Sequence, residues 1–152
     1  FTIFRFFNTY GPRQSEDFVL PRFVRAAMKG EPLTIYGDGS QTRSFCYVDD
    51  TVDTCIAAHR TGIYENDVIN IGSDREMTIK ELAETVIRVT GSSSKLEHLP
   101  PLPEGDMTRR CPDTTKMKAL LKRPLVPVEQ GIQRLVEYYR RESNPEAMLL
   151  EA

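Results

Sequence analysis

Apolar residues along this chain recur in two spacings, one of helical period and one alternating. Leu20, Phe23, Val24 and Ala27 fall on one helical face, as do Val52, Cys55, Ile56 and His59. Ile79, Leu82, Ala83 and Val86 make a third such face, and Val128, Ile132, Leu135, Val136 and Tyr139 a fourth. Thr78 with Glu81 reads as a capping box before the third helix, and Asp50 as the N-cap of the second. Strands are predicted at Leu33 to Tyr36, Thr42 to Tyr47, Val68 to Ile71 and Lys95 to His98, the first two joined as a hairpin through the Gly-rich "GDGSQ". Three prolines make Leu99 to Asp106 irregular, and the pattern fades after Arg141.

The opening "FRFFNTYGPR" departs from simple amphipathicity. Phe1, Ile3, Arg5 and Phe7 face one way along a strand and Thr2, Phe4, Phe6 and Asn8 the other, so both faces are largely apolar. Such a strand is expected inside a parallel sheet with helices on both sides. No strand and helix units precede it, so the chain is expected to be the carboxyl-terminal part of a longer protein, and its first residues resemble neither a natural start nor a signal peptide.

Composition narrows the function. With 39% hydrophobic and 28% charged residues and a formal net charge of −2, the chain has the make-up of a folded protein without a global basic field. Nucleic acid and anionic membrane are therefore not expected as partners, and no apolar run reaches the roughly 20 residues that span a bilayer. Cys46, Cys55 and Cys111 are odd in number and lack Cys-x-x-Cys spacing, which argues against a disulfide framework and a zinc site and favours a reducing cytoplasm.

Candidate chemistry gathers at strand ends. Ligands of open α/β sheets bind beyond the carboxyl ends of strands, where Asn8 and Thr9 stand, although Asn8 could equally cap the turn before Gly11 and Pro12. Arg43 shares a strand face with Gln41, Phe45 and Tyr47, so its fork could grip a phosphate beside aromatics; the alternative is a salt bridge to Asp49 or Asp50. Arg109 and Arg110 follow the Pro-rich loop. "YGDGSQ" lacks the Gly-Lys-Ser/Thr of a triphosphate loop, His59 and His98 have no metal-ligand spacing, and Cys111 has no accompanying base.

Four stretches, "RFFNTYGPR", "EPLTIYGDGSQTRSFCYVDD", "VINIGS" and "DMTRRCPDTTKMKALL", in this order and spacing resemble the carboxyl-terminal half of the extended short-chain dehydrogenase/reductase family. These are NAD-dependent nucleotide-sugar epimerases, dehydratases and decarboxylases. The likeness covers nearly everything from Phe1 to about Arg141, which sets the expected organisation: a nucleotide-sugar-binding part over 1–141 and a tail over 142–152. It implies an α/β fold, the last part of a Rossmann-type sheet plus the smaller substrate-binding domain. The Gly-rich dinucleotide loop and the catalytic Tyr-x-x-x-Lys helix would lie in an absent amino-terminal half, which would also bind most of the NAD.

The resemblance also implies roles. Phe7 would lie near the nicotinamide and Thr9 would touch the cofactor, while Asn8 would bind substrate near its diphosphate. Thr34 and Tyr36 would flank the nucleobase, with Val19 and Leu20 over the same pocket. Arg43 would grip the diphosphate of a UDP-linked sugar, with Asn70 near the nucleotide and Arg110 closing over it. No catalytic residue is expected in the chain, and the full-length protein would be a homodimer. The segment from Arg13 to Phe18 is shorter than in some decarboxylases, and "LLKRPLVP" lacks a Gly-Trp common there. "YGPRQ" leans to a 4-epimerase, and "RRCPD" with "VPVEQGI" to a UDP-glucuronate decarboxylase. A non-catalytic nucleotide-sugar-binding or structural protein retaining this half is the alternative.

Overall fold

The computed structural model describes residues 1–101 and 111–143. The opening strand β1 (Thr2–Phe6) pairs in parallel with β6 (Asp67–Ile71), in a register running from Thr2 opposite Asp67 to Phe6 opposite Ile71. One face of this pair is closed. Phe4, Ile69 and Ile71 pack there with Ala58 of α2 (Val48–Thr61) and with Met117 and Leu120 of α4 (Thr115–Leu121). The other face carries Ile3 and Arg5, both exposed, and among the described residues β1 has no strand partner on its second edge. The expected cover on both faces is thus present on one only.

After β1 the chain changes partner. Asn8 takes a φ of 38°, a region that Asn tolerates better than most residues, and the turn sends β2 (Thr9–Tyr10) alongside β5 (Cys46–Tyr47) in parallel. A larger core forms beyond it. The helices α1 (Val19–Lys29), α3 (Ile79–Thr90) and α5 (Val128–Ser143) bury the stripes that their periodicity predicts, including Leu20, Phe23, Leu82, Val86, Ile132 and Leu135. Burying each such side chain contributes about 1.5–3 kcal/mol. The capping box of α3 forms as expected: Thr78 Oγ1 accepts from Glu81 N at 3.0 Å and Glu81 Oε2 from Thr78 N at 2.7 Å.

Several expectations need correction. The run Leu33 to Tyr47 is not a hairpin, because β3 (Leu33–Tyr36) pairs in parallel with β8 (Leu96–Leu99) while β4 (Thr42–Ser44) pairs antiparallel with β7 (Glu76–Thr78). The turn is docked onto α3 instead: Lys80 N donates to Gly39 O and Ile79 N to Gln41 O, both at 3.1 Å, which steers β4 to the strand just before α3. The predicted strand Thr42 to Tyr47 is accordingly split at Phe45, its two pieces serving different sheets.

Helix α2 is rotated from its predicted face. It buries Asp50, Thr51, Thr54 and Ala58 and exposes Val52, Ile56 and His59. Asp50 does not cap the helix, since Tyr47 occupies that position; Asp50 sits in the first turn, fully buried. Its carboxylate accepts from Arg123 Nη1 at 2.5 Å and from Val126 N at 2.8 Å, an anchor that sets the rotation of the whole helix. Small Thr and Ala side chains then allow close approach on the inward side. Finally, α5 continues past Arg141 to Ser143, with Glu142 paired to Arg25.

Candidate functional site

A cavity of about 290 Å³ opens where the end of β1, the start of α1, β3 and β4 converge. Tyr10 and Phe45 back it, both buried and packed edge to face with ring centroids 6.4 Å apart. Thr34 and Tyr36 line it from β3, two residues apart and so on one face of the strand. Arg43 lines it from β4, and Gln41 from just before that strand. Arg43 Nη1 donates to the carbonyl of Thr42 at 2.7 Å, which fixes part of the guanidinium. Asp49 pairs with Arg134 and Asp50 with Arg123.

The helix side is open to polar ligands. The N-cap residue of α1, Phe18, makes no side-chain cap bond and the first turn carries no acid, while Asp17, just before the cap, lines the cavity beside Val19 and Leu20. The lip before it is held by Arg25, which contacts Glu16 at 3.1 Å, pairs with Glu142 and lies 3.8 Å over the ring of Tyr139. Among the described residues, three buried polar atoms of lining residues find no hydrogen-bond partner: Asn8 Nδ2, Gln14 Oε1 and Arg22 Nε.

Of the residues singled out from the sequence, Asn8, Val19, Leu20, Thr34, Tyr36 and Arg43 are brought together here. Phe7, Thr9 and Asn70 are not among the lining residues. Phe7 follows the end of β1, its backbone N donating to Ile71 O at 2.8 Å, and an added Cβ on Gly72 would stand 2.9 Å from Phe7 Cβ. Thr9 Oγ1 shares a hydrogen bond of 3.2 Å with Thr51 Oγ1. Asn70 lies in a shallower cleft with Arg5 and Lys116, its Nδ2 donating to Asp113 O at 3.1 Å. Arg110 lies outside the described residues. Sequence reasoning missed Gln14 and Arg22 as lining residues; Arg22 had a legible signal, three positions after Val19 and hence on the same helical face.

Several groups are unsuited to proton transfer or nucleophilic work. Burial pushes the Tyr10 hydroxyl far above the ordinary phenol range and the Cys46 thiol up to about 11, so both stay protonated at neutral pH. All three cysteines are free. Among the described residues no group of three His, Cys, Asp or Glu side chains is placed to hold a metal ion.

The parallel pairings, the helices and a polar-lined cavity past a strand end define an α/β protein of the Rossmann-like extended short-chain dehydrogenase/reductase type. Residues 1–72 match the model of the NAD dependent epimerase/dehydratase family. It is 42% identical over 94% of its length to the UDP-N-acetyl-alpha-D-glucosaminuronate decarboxylase of Bacillus cytotoxicus, covering 47% of that protein. Its fold is similar to UDP-glucose 4-epimerase of Thermotoga maritima with UDP-glucose, at a TM-score of 0.82 and 34% identity, covering 94% of this chain and 47% of the other. It is likewise similar to UDP-glucuronic acid 4-epimerase of Bacillus cereus in complex with UDP-glucuronic acid and NAD, at a TM-score of 0.81 and 32% identity, covering 93% and 45%. The chain thus spans about half the length of these relatives.

Proposed function

We propose that the chain is the carboxyl-terminal, nucleotide-sugar-binding part of an NAD-dependent enzyme that decarboxylates or 4-epimerises a UDP-linked sugar. The observation that carries this reading is the cavity that gathers Asn8, Thr34, Tyr36 and Arg43 around unpaired polar atoms. The nucleobase lies between α1 and β3, beside Val19, Leu20, Thr34 and Tyr36. Arg43 takes the diphosphate, its planar fork matching two phosphate oxygens. Asn8 donates from Nδ2 near the same group, held in place by its strained backbone and by its carbonyl accepting from Cys46 N at 3.2 Å.

Binding energy from the nucleotide, remote from the reacting carbon, orients the sugar and excludes water around it. NAD would supply transient oxidation of a sugar carbon. The residues of this chain do not by themselves make a dinucleotide site, for the 152 residues contain no Gly-x-Gly-x-x-Gly loop. Phe7 and Thr9 are this chain's contribution at the cofactor's edge, and Asn70 contributes near the nucleotide.

An upstream half completes the sheet on the open edge of β1. Phe1, Ile3 and Phe6 are 78%, 50% and 56% exposed, and Val52 and Ile56 of α2 are 48% and 42% exposed. That apolar surface matches what an adjoining strand and helix would cover. Unpaired cysteines fit a cytoplasmic setting. The experiment incubates the full-length protein with NAD and either UDP-glucuronic acid or UDP-glucose, following sugar products by mass and NMR. A lighter UDP-sugar by one carbon dioxide, or a C4 epimer, is expected; an intact substrate in every case overturns the proposal.

A further inference from the structure

We infer that Arg25 is a positioning residue for the proposed nucleotide site, holding residues 14–18 at the mouth of the cavity before a ligand arrives. The inference rests on the proposed placement of the nucleotide there. Gln14, Asp17 and Phe18 of this segment line the cavity. Its internal bonds are local: Ser15 Oγ donates to Asp17 Oδ2 at 2.7 Å, and Phe18 N to Ser15 O at 3.2 Å. Such bonds shape a turn without fixing it to the body of the protein. Gln14 Nε2, donating to Thr9 O at 2.8 Å, ties the start of the segment, and α1 takes over at Val19. Glu16, between these two ties, is met by Arg25, with Oε1 3.1 Å from Arg25 Nε.

Arg25 is itself held from the other side. From the middle of α1 it pairs through Nη2 with Glu142 in the last turn of α5, and its guanidinium lies 3.8 Å over the buried ring of Tyr139. One cation therefore joins residues 14–18, α1 and α5. An isolated exposed ion pair would contribute little, but the Arg25 side chain is only 25% exposed, two carboxylates share it and a ring covers one of its faces. The contact to Glu16 is ionic rather than a directed hydrogen bond, for Arg25 Nε–H has no aligned acceptor. A segment already ordered in its binding position loses less conformational freedom when a ligand binds, so affinity rises with no added contact to the ligand.

The test titrates UDP and NAD separately into the full-length protein, into its Arg25→Met, Arg25→Lys and Glu16→Gln variants, and into the variant carrying both Arg25→Met and Glu16→Gln. Arg25→Met is expected to weaken UDP binding about fivefold and to leave NAD binding unchanged. Arg25→Lys should recover part of the loss, because it keeps the charge but not the flat stack on Tyr139. Glu16→Gln, at an exposed side chain, should weaken UDP by a similar factor with little change in melting temperature, and it carries the test if Arg25→Met fails to fold. The double variant should bind UDP no more weakly than Arg25→Met alone, since both changes remove the same tether. Unchanged UDP affinity in Arg25→Met and Glu16→Gln, whether or not they melt lower, makes Arg25 a purely structural residue and overturns the inference while leaving the proposed function standing; additive losses in the double variant overturn it equally. Wild type that binds no UDP overturns the proposed function, and the inference with it.

Discussion

Asp50 is the residue on which the frame of the site depends. Its carboxylate is fully buried, bonded to Arg123 and to the amide of Val126, and Arg123 reaches on to Asp53 at 2.6 Å. Removing the Asp50 carboxylate leaves the Val126 amide without its acceptor, while Arg123, itself exposed, keeps Asp53 as a partner, so the cost is about 1–3 kcal/mol. Asp50→Ala should therefore shift the urea midpoint of the full-length protein strongly, whereas Asp53→Ala, at an exposed partner, should shift it by less than about 1 kcal/mol. Equal effects would contradict the anchoring role. Cys46 makes a second prediction at this scale. Buried and with its thiol pushed up to about 11, it should resist alkylation at pH 8 while Cys55 and Cys111, both partly exposed, are labelled first in a timed mass-spectrometric assay. Early labelling of Cys46 would mean the β2 and β5 pairing opens readily. The residues of the cavity were legible from strand alternation at Gln41 and Arg43, and from the family resemblance at Thr34 and Tyr36. Gln14 was not, because it sits in a turn whose shape depends on Arg13 at a φ of 66° and on Gln14's own bond to Thr9.

At the scale of elements, periodicity read α1, α3 and α5 well because their buried stripes are wide and mostly apolar. It misread α2, where a buried charged anchor outweighs Val52 and Ile56 in fixing which side faces inward. It also joined β3 and β4, since the turn chemistry of "GDGSQ" suits a hairpin and only the bonds of Gly39 and Gln41 to α3 redirect it. The short β7 and α4 left too few residues for any period to declare itself. Gly131 makes the packing of α5 testable. An added Cβ there would stand 1.9 Å from Tyr10 Oη and 2.7 Å from its Cζ, so the helix lies directly on the ring. Glycine to alanine in a helix interior ordinarily gains about 0.5–1 kcal/mol, but overpacking of a rigid core costs about 1–3 kcal/mol. Gly131→Ala should lower the melting temperature, and adding Tyr10→Phe should recover part of the loss; a stabilised single variant would contradict this packing.

At the scale of the whole molecule, the apolar opening strand is the feature that the described residues leave half satisfied. Phe1, Ile3 and Phe6 of the first strand, and Val52 and Ile56 of α2, form surface that a soluble partner element would be expected to cover. The 152 residues alone should therefore self-associate in a concentration series by analytical ultracentrifugation and should show no turnover of UDP-sugars. A monodisperse, catalytically active preparation would contradict the proposed dependence on an upstream half. The legible part of the fold was the identity of this strand as a parallel-sheet member; its cover was not, because periodicity reports apolarity and not the element that meets it.

The central claim is that the cavity beside Arg43 binds the nucleotide diphosphate while NAD is held mainly elsewhere. The most direct measurement titrates UDP and NAD separately into the full-length protein and its Arg43→Ala and Arg43→Lys variants. UDP affinity should fall in Arg43→Ala and recover only in part in Arg43→Lys, which keeps the charge but lacks the planar fork, while NAD affinity stays nearly constant across all three. Identical UDP affinity in all three proteins would make Arg43 a structural residue and place the diphosphate elsewhere.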